Sequence, residues 1–126
     1  MAEGVQKRLQ NELDKFQSVQ KDVAKHIGLR QQLEGQLNEN TLVKEELDRL
    51  EDGAGVYKMV GPALIKQDLT EAKQNVQKRI DYINSELKRH ENLIKDLEKK
   101  SDAHRETLNK LQHQFQQAQV KAAVKS

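Results

Sequence analysis

Apolar residues recur every three or four positions along the first 51 residues of the chain. This spacing places side chains on one face of a helix, while Lys, Glu, Asp and Gln fill the rest of its surface. The segment therefore predicts a long helix over about 3–51 that needs a partner along its apolar stripe, here called the seam. The seam positions are Val5, Leu9, Leu13, Phe16, Val19, Val23, Ile27, Arg30, Leu33, Leu37, Asn40, Val43, Leu47 and Leu50.

A second helical segment has a stricter repeat, in which seam positions recur every seven residues. We predict a helix over about 69–120, with Asp68 and Thr70 as candidate N-terminal caps and a flexible tail at about 121–126. Seven-residue spacing over so many turns favours a coiled coil. One set is Lys73, Ile80, Leu87, Ile94, Ser101, Leu108 and Phe115, and the other is Leu69, Val76, Ile83, His90, Leu97, His104, Leu111 and Ala118.

Between the helices lies the one stretch of strand-like composition. The glycines of Asp52–Gly55 end the first helix, and Val56–Val60 and Ala63–Gln67 predict two strands of a hairpin at about 55–67. Gly61-Pro62 fits a two-residue type II′ turn, which would pair Val60 with Ala63 and Met59 with Leu64, although a longer loop fits as well. The short joint makes the two helices antiparallel neighbours.

Both faces of this hairpin are largely apolar, and both of its edges are unpaired. An isolated two-stranded hairpin is marginal in water and its edges invite another chain, so we predict that strands of other subunits complete it. The alternative is a hairpin folded back on its own helices. The predicted assembly residues are Val56, Tyr57, Met59, Val60, Leu64 and Ile65.

The seam weakens toward the two chain termini, which the antiparallel pairing brings together. Ser101 and His104 occupy core positions, and polar core residues fix register at a cost in stability. We expect the distal part to be looser, with its apolar residues partly exposed. These are Val5, Leu9, Leu13, Phe16, Leu111, Phe115, Val120 and Val124, all but the last of which we predict as binding residues.

Composition supports a narrow seam rather than a thick core, since charged residues make up 33% of the chain and aromatic residues only 3%. The net charge of +2 does not predict a nucleic-acid partner. Residues 99–126 nevertheless contain six basic and two acidic residues. No apolar run is long enough to cross a membrane, the first residues lack the apolar core of a signal peptide, and cysteine is absent. We therefore expect a cytoplasmic protein without a membrane association.

No motif predicts catalysis, a cofactor or a metal ion. The spacings of His90, His104 and His113 do not give an adjacent-turn ligand pair, so seam or surface histidines are favoured. The acidic stretch Glu45–Asp52 is more typical of a solvated helix face than of a docking patch for a basic partner. An enzyme is therefore not expected.

The hairpin segment VYKMVGPALIKQ (residues 56–67) and its flanking heptads resemble the β-class subunits of eukaryotic prefoldin over nearly the whole chain. The resemblance implies a mainly α fold: a long antiparallel two-helix coiled coil joined by one β-hairpin that completes an intersubunit β-barrel. It implies a hexamer of two α-class and four β-class subunits. This hexamer would act as an ATP-independent holdase, a chaperone that holds unfolded chains. The coiled-coil tips would capture unfolded clients such as actin and tubulin and deliver them to the cytosolic chaperonin. A structural coiled-coil adaptor that docks one folded partner is the alternative function.

Overall fold

The predicted order of elements is confirmed by the computed structural model, which describes residues 2–51 and 54–125. Helix α1 (Ala2–Asp48) is followed by strands β1 (Val56–Val60) and β2 (Ala63–Gln67) and by helix α2 (Leu69–Lys125). Asp52 and Gly53, which belong to the predicted helix stop, lie outside the described residues, as does Ser126. That the chain forms a single domain stays a prediction.

Two helix ends differ from the prediction. Helix α1 ends at Asp48 rather than near residue 51, because the chain tightens into a turn in which the Leu50 N–H donates to the Leu47 carbonyl at 3.2 Å. Helix α2 continues to Lys125, so the tail predicted from residue 121 is helical as far as it is described. The tail contains Ala and Lys and no Gly or Pro, and these residues favour continuation of a helix.

Asp68, one of the two predicted cap residues, caps the N-terminus of α2. Its Oδ2 accepts a hydrogen bond of 3.3 Å from the Glu71 N–H, and its carbonyl accepts one of 2.9 Å from the Ala72 N–H. The side chain thus satisfies one of the donors that a helix start leaves free. This cap fixes where the chain leaves the hairpin and enters the second helix.

The hairpin has the predicted register. Strands β1 and β2 pair antiparallel, with Val60 opposite Ala63, Met59 opposite Leu64 and Tyr57 opposite Lys66. Gly61 has a φ of +59°, the left-handed value that the first loop position of a type II′ turn requires. Gly at this position avoids the steric cost that a side chain would incur there. The two-residue loop is therefore confirmed over the longer alternative.

The residues fall into two compact units: a hairpin unit, Leu29–His90, and a terminal unit, Met1–Gly28 with Glu91–Ser126. The core of the hairpin unit joins α1 to the first three turns of α2 and extends to the root of the hairpin, where Leu37 and Val56 pack on it. Its buried members are Leu47, Leu69, Ala72, Val76 and Ile80.

Two predicted seam residues of the hairpin unit, Val43 and Leu50, are exposed. The predicted seam residue Asn40 is half-buried, and so are Thr41 and Lys44, so the inward face of α1 here turns away from Val43. Leu50 lies beyond the end of the helix and therefore leaves the seam. The apolar pattern was therefore wrong at Val43, where polar residues occupy the inward positions, and at Leu50, where the helix has already ended.

In the terminal unit the buried residues include both apolar and polar seam positions. Val5, Ile94 and Leu111 are buried, and so is Ser101. Gln20 on α1 donates a hydrogen bond from Nε2 to the Ser101 Oγ at 2.9 Å. The polar residue that was expected to loosen the seam thus has a partner on the facing helix.

Candidate functional site

The hairpin presents an apolar surface that nothing within the described chain covers. Five of the six predicted assembly residues are exposed, and only Val56 is half-buried against the core of the hairpin unit. The described sheet has two strands, so an outer edge of each strand has no strand beside it. The exposed fractions are 60% for Tyr57, 73% for Met59, 50% for Val60, 68% for Leu64 and 52% for Ile65.

Residues on both faces of the hairpin contribute to this surface. Because directly paired residues share a face, Val60, Ala63 and Ile65 lie on one face, and Tyr57, Met59 and Leu64 lie on the other. The Tyr57 ring lies over Gly55: a Cβ built on Gly55 would be 3.3 Å from the ring. Glycine before β1 therefore allows the tyrosine side chain to lie close to the backbone at the base of the hairpin.

The apolar residues predicted to bind clients differ in burial within the terminal unit. Leu9, Leu13, Phe16 and Phe115 are half-buried and Val120 is 62% exposed. The predicted partial exposure is wrong for Val5 and Leu111, which are each only 9% exposed because this part of the unit is packed. Whether any of the seven residues binds a client stays a prediction.

Phe16 has a cationic neighbour on the facing helix. The Arg105 guanidinium carbon lies 5.7 Å from the centroid of the Phe16 ring, within range of a cation–π contact. Arg105 is also 3.7 Å from an Asp102 carboxylate oxygen, and both of these charged side chains are largely exposed. The Arg105 guanidinium therefore lies over one face of the half-buried Phe16 ring.

His104, a predicted seam histidine, is held by a carboxylate from α1. Its Nδ1 lies in hydrogen-bonding contact with Glu12 Oε1, and both side chains are mostly buried. Together with the bond between Gln20 and Ser101, this contact ties α1 to α2 within the terminal unit. Sequence periodicity identified the two α2 positions but not their partners, since polar residues of α1 carry no periodic signal.

One ion pair in the hairpin unit perturbs a carboxyl group. Arg89 Nη2 lies 2.8 Å from Glu86 Oε2, and this hydrogen bond from the guanidinium lowers the pKa of the Glu86 carboxyl from its usual value. The bond to Glu86 likewise raises the pKa of Arg89. His90 lies on the same stretch of α2, where its Nε2 is 3.9 Å from Glu86.

Comparison with known proteins identifies the family. A family model described as "Prefoldin subunit" matches residues 10–115. The human "Prefoldin subunit 6" is 51% identical over 123 residues, which are 98% of this chain and 95% of the relative. The Arabidopsis thaliana "Prefoldin subunit 6" is 47% identical over 116 residues, or 92% of this chain and 90% of the relative.

A solved structure has the same fold. The prefoldin β subunit from Thermococcus strain KS-1 superimposes with a TM-score of 0.59 at 25% identity, covering 88% of this chain and 91% of that one. The chain belongs to the prefoldin family. The resemblance read from the hairpin segment is thus confirmed, as is the mainly α fold class with one hairpin of the type that completes an intersubunit barrel.

Membership in the prefoldin family has direct consequences for function. The chain is a chaperone subunit that assembles with other prefoldin subunits, and its relatives are chaperone components rather than enzymes. Within residues 2–51 and 54–125, no three His, Asp or Glu side chains are grouped as metal ligands. No helix in this described part is long and apolar enough to span a membrane.

Three features of this prefoldin subunit were not predicted from its sequence. Leu42 and Tyr82 are 52% and 65% exposed on the helices of the hairpin unit. In the terminal unit, Lys15 and Lys100 face a common groove between α1 and α2. No periodic signal in the sequence marks this groove, because only the pairing of the two helices brings Lys15 and Lys100 together.

Proposed function

We propose that this chain is a subunit of an ATP-independent holdase, a prefoldin hexamer of two α-class and four β-class subunits. The exposed hairpin is the observation that supports this proposal most strongly. A monomer rarely leaves a compact apolar sheet with two free edges in water, because the surface is hydrophobic and the edges can pair with another strand. Strands from neighbouring subunits would cover both and close a barrel.

Clients are proposed to bind at the terminal unit, where several apolar side chains are partly or largely exposed. Val120 is 62% and Val124 81% exposed on the last turns of α2. Leu9, Leu13, Phe16 and Phe115 retain an exposed fraction, and Val5 and Leu111 lie beside them in the packed seam. Side chains of this kind make weak contacts with many sequences, and several subunits acting together would add avidity.

The proposed clients are unfolded or nascent polypeptides, among them actin and tubulin. The complex would hold them and deliver them to the cytosolic chaperonin in the cytoplasm. The chemistry requires only reversible apolar contact, so neither a cofactor nor a nucleotide is needed by this subunit.

The test measures suppression of aggregation after chemically denatured actin is diluted into buffer containing the assembled hexamer. Replacing Phe16 and Phe115 with Ser should leave the hexamer intact and weaken suppression, because apolar contact area is lost. Val120→Ser provides a variant with little effect on folding, since Val120 is already exposed. Gln17→Ser with Gln116→Ser is the matched control at exposed polar positions.

Undiminished suppression by intact hexamers of both apolar variants would contradict the client site. A complex that ignores denatured proteins altogether but binds one folded partner would instead support an adaptor. Circular dichroism of each variant separates loss of binding from loss of helix.

A further inference from the structure

A groove between the two helices of the terminal unit has a mostly apolar lining and a lysine on each side. Lys15, Ser18 and Val19 line it from α1, and Lys100, Ala103 and His104 line it from α2. Val19 and His104 are half-buried, whereas both lysines are exposed. The groove is open to solvent and has a volume of about 540 Å³.

The two lysines have no carboxylate partner among the described residues. Neither ammonium group lies within ion-pair distance of an Asp or Glu there. Asp14, which precedes Lys15 in the sequence, accepts a hydrogen bond of 3.0 Å from Gln10 Nε2. The carboxylate of Glu12, three residues before Lys15, contacts the His104 Nδ1 instead. Each side of the groove therefore has a lysine without an ion-pair partner among the described residues.

The local charge is part of a wider imbalance. Residues 99–126 contain six basic residues and two acidic ones, and Asp102 is already beside Arg105. These positive charges would attract a negatively charged partner, which would raise its rate of association and orient it on the surface. Basic partners would be repelled by the same charges.

We propose that Lys15 and Lys100 make this groove selective for acidic client segments, in which an apolar side chain is flanked by carboxylates. The apolar side chain would contact Val19 and Ala103 while the carboxylates pair with the two ammonium groups. This inference rests on the proposed holdase function and adds a charge preference to it. It makes the two lysines specificity-determining residues rather than general contributors of net charge.

The test uses the assembled hexamer and two fluorescent twelve-residue peptides. Both have the same apolar centre, flanked by Glu in one peptide and by Lys in the other. Affinities are measured by fluorescence anisotropy at low and at physiological salt. The unaltered complex should bind the Glu-flanked peptide more tightly, and salt should reduce the difference.

Charge reversal at the groove should invert the preference. Lys15→Glu with Lys100→Glu is expected to weaken binding of the Glu-flanked peptide about tenfold and to strengthen binding of the Lys-flanked one. Lys15→Arg with Lys100→Arg should retain the original preference. The control is Lys21→Glu with Lys99→Glu, which makes the same change in net charge on the same two helices at exposed positions outside the groove.

Equal effects of the groove and control variants would overturn the proposal, because net charge alone would then account for the preference. A groove variant that changes self-association of the chain, measured by sedimentation, and leaves peptide binding unchanged would also overturn it in favour of a second copy. Capture of a denatured client with few charged residues tests the holdase function separately from the charge selectivity of the groove. If that capture persists while charge selectivity is absent, the holdase function stands and only the groove assignment is wrong.

Discussion

The Gln20 side chain on α1 donates a 2.9 Å hydrogen bond to the hydroxyl of Ser101 on α2, and Ser101 is only 5% exposed. A buried hydroxyl without a partner is costly, so this bond makes a polar residue acceptable in the seam. The bond also favours one register of the two helices, because a shift of either helix would separate the pair. Within the terminal unit, polar seam residues thus reduce apolar packing locally but help to determine the register of the two helices.

Gln20→Ala is expected to lower the free energy of unfolding by about 1 kcal/mol, since the Ser101 hydroxyl would lose its partner. Gln17→Ala, at an exposed position on the same helix, is the control and should have a much smaller effect. Chemical denaturation of the assembled protein measures both. In a double-mutant cycle with Ser101→Ala the two changes should couple, and strict additivity would contradict the account.

Replacing glycine by alanine should change the stability of the chain in opposite directions at the hairpin turn and within helix α1. Gly61 has a φ of +59°, so Gly61→Ala should cost about 1–2 kcal/mol because the left-handed conformation is strained with a Cβ. Gly35→Ala places a methyl group in open space within α1 and should stabilise the chain by up to about 1 kcal/mol. Thermal unfolding measures both, and a stabilising Gly61→Ala would contradict the turn geometry.

Charging the hairpin should prevent assembly. Ile65→Lys places an ammonium group in the surface that is proposed to pack against other subunits, and burying an unpaired charge is strongly unfavourable. Because Ile65 is 52% exposed in the chain itself, the substitution should leave the helical content unchanged. Size-exclusion chromatography of mixed subunits measures the loss of hexamer.

The matched control for this change is Gln74→Lys, which adds the same charge at an exposed position of α2 outside the hairpin. It should assemble normally. Normal assembly by Ile65→Lys as well would show that the hairpin surface is not an interface.

The ion pair between Glu86 and Arg89 predicts a pH effect. The pKa of the Glu86 carboxyl is lower in the folded chain than in the unfolded chain. The ion pair therefore stabilises the fold fully at a pH above the Glu86 pKa of the unfolded chain, and this stabilisation is lost as the pH falls through the Glu86 pKa of the folded chain. Arg89→Gln should return the Glu86 pKa toward its usual range. Carboxyl carbon NMR titration measures the shift.

Lys88→Gln is the control, because it removes a cation from the neighbouring exposed position and leaves the guanidinium in place. Its effect on the Glu86 pKa should be small. A Glu86 pKa at or above its usual value while Arg89 is intact would contradict the assignment.

The sequence predicted the hairpin in most detail. The turn chemistry of Gly61-Pro62 and the short strands determine which residues pair, so local information was sufficient for the register. Asp68 was likewise predictable as a cap, because capping depends on residues within one turn. These features depend on neighbours along the chain.

Features that depend on the facing helix were predicted less well. Val43 is exposed although it fits the apolar spacing, and Val5 and Leu111 are buried although the seam was expected to be loose near the chain termini. The partners Glu12 and Gln20 could not be found by periodicity, because only the three-dimensional pairing brings them to His104 and Ser101. The same reason explains why the groove between Lys15 and Lys100 was not predicted.

The central claim is that the exposed hairpin is the assembly element of a prefoldin complex. Native mass spectrometry of this chain, alone and mixed with purified α-class and other β-class prefoldin subunits, tests it most directly. The account predicts a poorly associated chain on its own and a hexamer with two α-class and four β-class subunits on mixing. A chain that remains outside every hexamer under conditions in which the other subunits assemble would contradict it.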